Sequence, residues 1–456
     1  MDEIEGKEVT RKQFVHRVAG VGLGSAALVG VLAACGGDGD GEAAGTEAGE
    51  TQAAATTAAS QGQSGSGEPY RIVQPLNLTG PLAPDAEDSQ NATELAVQEI
   101  NEAGGIQGRS IEQVVFDADV TTPDGVTAAM NKAIAEEPDA IAIPHVLANA
   151  PALDVLAGYA CPYLNLSASI DQVTQVASDP ELYDFVFQVS PTEVPYGTGF
   201  VPALDGIEAS GAWTPSSRTI FILEGDGVYE QTISKGMQDG AASSGTWEIV
   251  GVEPIVKPVN DWGPSLSKVR AANPGVIANI NYLADDTAAF MKQFAADPTN
   301  SLVYIQYAPS LPRFSELAGD AGNGVIWSTV SGRLPDEIGS TFLEKYVAAF
   351  GKEPGITNAG GVYDSIYMLA NAWGRVGDGK NFDAVCDYLR TNVYRGVNGG
   401  YSFNHEGQHG LAYPSETSDP SLGQATLFAQ VQSGKSVFIN PFPYTEGEYQ
   451  LAAWQS

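Results

Sequence analysis

Glu99-Ile100-Asn101-Glu102-Ala103-Gly104-Gly105-Ile106-Gln107-Gly108-Arg109 lies at the centre of the stretch from Asn91 to Pro123, and that stretch decides the architecture. Ala92, Ala96, Ile100 and Ala103 recur at helical spacing, Gly104 and Gly105 stand where a helix stops, and Ile111, Val114 and Val115 begin a strand-like run. Thr122 and Pro123 then restart the cycle, one as a helix cap and the other in a first turn. A chain repeating helix, glycine turn and strand builds a parallel sheet covered by helices, and such α/β sheets bind ligands at the carboxyl ends of their strands.

Working outward, 456 residues exceed what one hydrophobic core serves, so two lobes with extensions are expected. The apolar content of 43% is that of a globular protein, but 22 Lys+Arg against 56 Asp+Glu gives a net charge of -34. Such a field repels phosphate backbones and anionic lipid heads, which excludes nucleic acid as a partner. It fits the solubility of an exported protein or an adaptation to high salt. Three cysteines in so long a chain exclude a disulfide scaffold. Cys161 and Cys386 read as small buried thiols, with a mutual bridge as the alternative.

The first 35 residues have the layout of an export signal. Arg11, Lys12 and Arg17 form a positive region, and Val18 to Ala34 is a short, glycine-softened apolar run. Leu32-Ala33-Ala34-Cys35 resembles the lipobox of bacterial lipoproteins, which implies lipidation of Cys35. Thr10-Arg11-Lys12-Gln13-Phe14 resembles a twin-arginine signal with Lys12 in place of the second arginine, so both that route and the general route stay open. Residues 36–69 are Gly, Ala, Ser, Thr, Gln and acidic residues, too polar to fold. As a flexible tether of about 34 residues they would span roughly 30–35 Å.

From Tyr70 the chain is periodic. Strands are expected at 71–78, 140–143, 163–166 and 185–189, then at 219–223, 248–254, 276–280 and 302–306, with helices at 123–136, from about 149, and at 196–208, 229–242, 264–272 and 285–295, and 325–330 is expected as a second crossing. The series implies two similar α/β lobes. Helices at 339–350, 358–373 and 382–390 follow, and late strands at 426–431 and 437–440.

Leu78-Thr79-Gly80-Pro81, the Glu99 to Arg109 segment, Val186-Phe187-Gln188 and the helix at Tyr363-Asp364-Ser365 resemble the type I solute-binding proteins of branched-chain amino acid and amide ABC importers. The resemblance spans roughly Tyr70 to Asn440. It implies two Rossmann-like lobes with mostly parallel sheets, joined by three crossings near Ser190, near Val330 and between Gly410 and Gly423. Lobe 1 would be 70–190 with 331–411, and lobe 2 would be 191–330 with 424–456. It also implies a small polar ligand held in the cleft and no cofactor. An ABC permease would be the partner, the membrane would be reached only through the lipid anchor, and the protein would act as a monomer outside the cytoplasm.

Carried over position by position, the resemblance places Ala148 and Asn149, then Ser167 and Ser169, where the family holds a ligand carboxylate. Tyr229 and Tyr282 match aromatic walls. At Tyr307 amino acid binders carry a carboxylate for the ligand ammonium, and this chain offers Gln306 and Tyr307. Asp85 stands in a first-lobe loop position that is often aromatic; either it takes over the ammonium or the ligand is not a standard amino acid.

Two further readings come from other classes. A membrane-tethered sensing domain would share every feature above. His405-Glu406-Gly407-Gln408-His409 fits the H-E-x-x-H pattern of a zinc hydrolase, but that mechanism needs a helix, and the glycines around the segment favour a turn. His145, alone at a strand end, has no nucleophile of predictable proximity. Neither a metal site nor an enzyme is expected.

Overall fold

The structure, a computed structural model, describes residues 67–441 and 443–455. The expected export signal, Cys35 and the tether up to residue 66 lie outside the described residues.

Two sheets form the frame. The first has the order β2-β1-β3-β4-β5 and is wholly parallel: β1 (Tyr70–Leu76), β2 (Ile111–Asp117), β3 (Ala140–Ile143), β4 (Tyr163–Asn165) and β5 (Val186–Gln188). Tyr70 faces Ile111 and Leu76 faces Asp117, so β1 and β2 pair over their full length. The second sheet comprises β6 (Thr219–Gly225), β7 (Glu248–Ile255), β8 (Val276–Ile280), β9 (Leu302–Ile305) and β10 (Ile326–Thr329), all parallel. Two pairs of short strands follow the first ten: β11 (Tyr394–Gly396) with β12 (Gly399–Tyr401), and β13 (Leu411–Tyr413) with β14 (Gly423–Ala425). β15 (Leu427–Gln432) and β16 (Lys435–Asn440) then add to the second sheet antiparallel, beside β10.

The chain passes from the first sheet to the second after β5 and returns after β10. The helices Glu337–Phe350, Asn358–Val376 and Phe382–Thr391 pack into the first core, where Trp373 stacks on Tyr70 with ring centroids 4.8 Å apart. A third crossing leads to β15. Each sheet is thus closed by an element from late in the chain, which ties both cores to the same three connections.

Local chemistry explains the opening unit. The helix Ala83–Glu102 stops at Gly104 and Gly105, whose φ values are 102° and 69°. A Cβ on Gly105 would sit 2.2 Å from the Arg109 carbonyl oxygen, so the turn needs glycine twice over. Thr122 caps the helix Pro123–Ala135, its hydroxyl accepting from the Gly125 N–H at 3.2 Å.

The differences from sequence expectation have physical causes. The first helix begins eight residues before Asn91, where Asp85, Asp88 and Ser89 are buried beside Ala86 and leave no apolar period. Asp85 therefore occupies a first helical turn, not a loop. The helix expected after Tyr196 divides at Gly199 into Val194–Thr198 and Phe200–Ala209. Ile170–Ser178 and Pro312–Ala318 are helices too short to announce themselves by periodicity.

Candidate functional site

A cavity of about 420 Å³ opens between the two sheets, at the carboxyl ends of their parallel strands. All eight residues singled out in the sequence line it: Asp85, Ala148, Asn149, Ser167 and Ser169 from the first core, and Tyr229, Tyr282 and Tyr307 from the second. The packing around each decides what it has left to offer.

Asp85 is 4% exposed and is held across the cleft. Its Oδ1 accepts from the Tyr307 hydroxyl at 2.5 Å and from Asn358 Nδ2 at 2.8 Å, while Asn358 Nδ2 also lies 2.9 Å from the Tyr307 oxygen. Burial pushes Asp85 up to about 6, with the two donors opposing the shift. Among the described residues no cation pairs with it. Tyr307 reaches Asp85 from a backbone at φ 60° and ψ -50°, with the Ala308 N–H donating to the Gln306 carbonyl at 2.6 Å. That is a γ-turn of the strained kind, found where a side chain must be aimed.

Among the helix starts that face the cavity, those at Ile170, Val228 and Asn149 differ. At Ile170 the backbone N–H donates to Glu193 Oε2 at 2.7 Å, and Ser169 Oγ accepts from the Gln172 N–H at 3.2 Å. This start is filled by the chain's own carboxylate, and burial raises Glu193 to about 7. At Val228 the Glu230 carboxylate lies so close to Gly225 and Gly227 that a Cβ there would come within 2.5 and 2.4 Å of its oxygens. The third start, at Asn149, has no side-chain cap; Ala148, Asn149 and Ala150 line the cavity, and Asn149 Oδ1 is buried without a hydrogen-bond partner.

Ser167 lines the cavity with its hydroxyl already engaged, accepting from the Val146 N–H at 3.0 Å and donating to the Val146 carbonyl at 3.3 Å. Ser169 retains its O–H donor after capping its helix. Gln306 does not reach the cavity. Its amide accepts from Tyr304 and donates to the Tyr229 hydroxyl at 2.8 Å, so it orients an aromatic wall in which Tyr229 meets Tyr196 and Tyr282 edge-on at 6.1 and 6.0 Å.

Sequence reasoning missed Asn358, Glu193, Glu230 and Lys257. Lys257 lines the cavity, pairs with the buried Glu230 and lies 4.0 Å from the Tyr282 ring centroid. Only Asn358 carried a local signal, standing at the start of a clearly periodic helix. His145 also lines the cavity, and burial lowers it to about 4, so it is neutral near pH 7.

The H-E-x-x-H segment is not a helix. Residues 405–407 turn, Gly407 and Gln408 have φ values of 82° and 45°, and Glu406 is exposed. The two imidazoles meet edge-on, and His405 Nε2 lies 2.9 Å from the His409 carbonyl oxygen. Among the described residues no cluster of three His, Cys, Asp or Glu is arranged to hold a metal ion. Cys161 and Cys386 are both buried free thiols, not a bridge.

A family model described as periplasmic binding protein matches residues 69–434. A solved structure of a putative branched-chain amino acid ABC transporter from Silicibacter pomeroyi is 35% identical, covering 85% of this chain and 100% of its own, with a TM-score of 0.77. The branched-chain amino acid transporter substrate-binding protein of Streptococcus pneumoniae, solved with isoleucine, is 19% identical over 82% of this chain and 100% of its own, with a TM-score of 0.65. A solute-binding protein from R. palustris, solved with benzoate, is 18% identical over 82% and 96%, with a TM-score of 0.64. No curated protein matches the chain. Two mostly parallel sheets linked by three crossings, a cavity at their strand ends and a family match across the folded body lead to one assignment: the chain belongs to the type I periplasmic binding proteins of branched-chain amino acid ABC transporters.

Proposed function

We propose that the protein captures a small zwitterion, an amino acid or a close relative, between its lobes and delivers it to an ABC importer. Lobe 1 would comprise 70–190 and 331–411, and lobe 2 would comprise 191–330 and 424–456. Residues 1–35 would direct export, lipid on Cys35 would anchor the chain outside the cytoplasm, and residues 36–69 would tether the body, as a monomer, beside its permease.

The observation that carries the ligand reading is Asp85: a buried carboxylate facing a cavity, bonded to two neutral donors from opposite sides of the cleft and paired with no cation among the described residues. Buried charges persist when something pairs with them, and a ligand ammonium would complete this one. The uncapped helix start at Asn149 supports the other half of the zwitterion, because helix N-termini attract anions and the two neighbouring starts already hold carboxylates of the chain.

Titration calorimetry of the wild type and Asp85→Asn with α-amino acids tests this. The wild type is expected to bind at least one of them, and the variant to lose about 100-fold or more in affinity. Equal binding by both would remove Asp85 from the site.

A further inference from the structure

The proposed zwitterion leaves open what its side chain carries, and the second-lobe wall answers that. Val256 and Lys257 follow the edge strand β7, with Val256 turned outward at 74% exposure and Lys257 turned inward. The Lys257 side chain is 11% exposed and pairs with Glu230, whose side chain is 1% exposed. One ammonium hydrogen is thus taken by Glu230, and the Tyr282 ring 4.0 Å away covers another flank. An ammonium has three donors, and among the described residues Glu230 is its one hydrogen-bond acceptor. Asp226 and Asp286 bias the site electrically, but Asp226 is exposed and Asp286 already accepts from the Val259 N–H and Asn281 Nδ2.

An aliphatic ligand side chain against this wall would dehydrate Lys257 further and give it no acceptor. We infer that Lys257 reads an oxygen at the distal end of the ligand, a hydroxyl, carboxamide or carboxylate, so that the solute is a polar amino acid and not a branched aliphatic one. Glu230, fixed against Gly225 and Gly227, holds the ammonium in position; Lys257 is the group that touches the ligand. This inference rests on the zwitterion reading above.

The experiment sets oxygen-bearing amino acids against their apolar isosteres, threonine against valine, asparagine and aspartate against leucine, glutamine and glutamate against homoleucine, titrated into the wild type and Lys257→Met. The tightest wild-type ligand should be an oxygen-bearing member, preferred over its isostere by roughly 100-fold or more. Lys257→Met should collapse that ratio to within about threefold, whatever it does to stability. Lys257→Arg, which keeps the charge and donors, should retain a preference for the oxygen. If leucine, valine or homoleucine binds tightest, or if the ratio survives Lys257→Met, the inference is overturned while the zwitterion reading stands. If none of these binds while another α-amino acid does, the inference falls and the zwitterion reading stands; if no α-amino acid binds, the zwitterion reading falls and takes this inference with it.

Discussion

In the proposed zwitterion site, Asp85 would join ligand binding to pH. Its carboxyl is raised to about 6 by burial, so the folded protein holds this proton more tightly than the unfolded chain does. For a raised acid, its contribution to stability is greatest at low pH and declines as pH rises from about 4 to about 6, then stays level. A ligand ammonium needs the ionised form, so binding must release the proton below pH 6. The apparent Kd is therefore expected to be about tenfold weaker at pH 5 than at pH 7, with proton release visible as buffer-dependent heat. In Asp85→Asn that pH dependence should vanish and the ligand-free protein should melt no lower than the wild type, since an unpaired buried charge is removed. A variant that melts much lower would make Asp85 a structural residue. Among single residues, Asn149, Ser167, Ser169 and Tyr282 could be placed beside the cleft from the sequence, because the strands they follow end there. Lys257 and Glu193 also follow strands, but that their side chains turn inward depends on which neighbours bury them, and the sequence carries no signal of that.

Secondary-structure elements place these groups, and two of them permit clean separation of stability from binding. The helix start at Asn149 offers uncapped N–H groups to a carboxylate. Asn149→Asp would set a like charge there with little change in volume, and affinity should fall roughly 10- to 100-fold while the melting temperature holds. The cap at Thr122 lies outside the cavity lining, so Thr122→Ala should cost about 1 kcal/mol of stability, read by denaturant titration, and leave Kd unchanged. The strands and long helices were legible because their apolar residues alternate or recur with the period of their structure. The first helix concealed its opening turns, since Asp85, Asp88 and Ser89 are buried there with Ala86 alone beside them, and polar burial has no hydropathy signature. The same polar burial that hid the helix start is what the proposed site rests on.

At the scale of the molecule, three crossings join the two cores, and the expected motion is hinge closure. Tyr307 contributes a bond from the second core to Asp85 in the first, so it favours the approach of the two cores. Tyr307→Phe removes that bond while keeping the ring. The ligand-free variant is expected to show a larger radius of gyration by small-angle scattering than the wild type, and roughly tenfold weaker binding, because more of the closure must then be driven by the ligand. An unchanged radius with unchanged affinity would mean that the hydroxyl bridges nothing in solution. The central claim, a cleft that closes on a zwitterion through Asp85, is tested most directly by calorimetry of the wild type with an α-amino acid and its deaminated carboxylate at pH 7. Binding of the amino acid, with the deaminated analogue at least 100-fold weaker, is the result expected. Equal or tighter binding of the deaminated acid would contradict it.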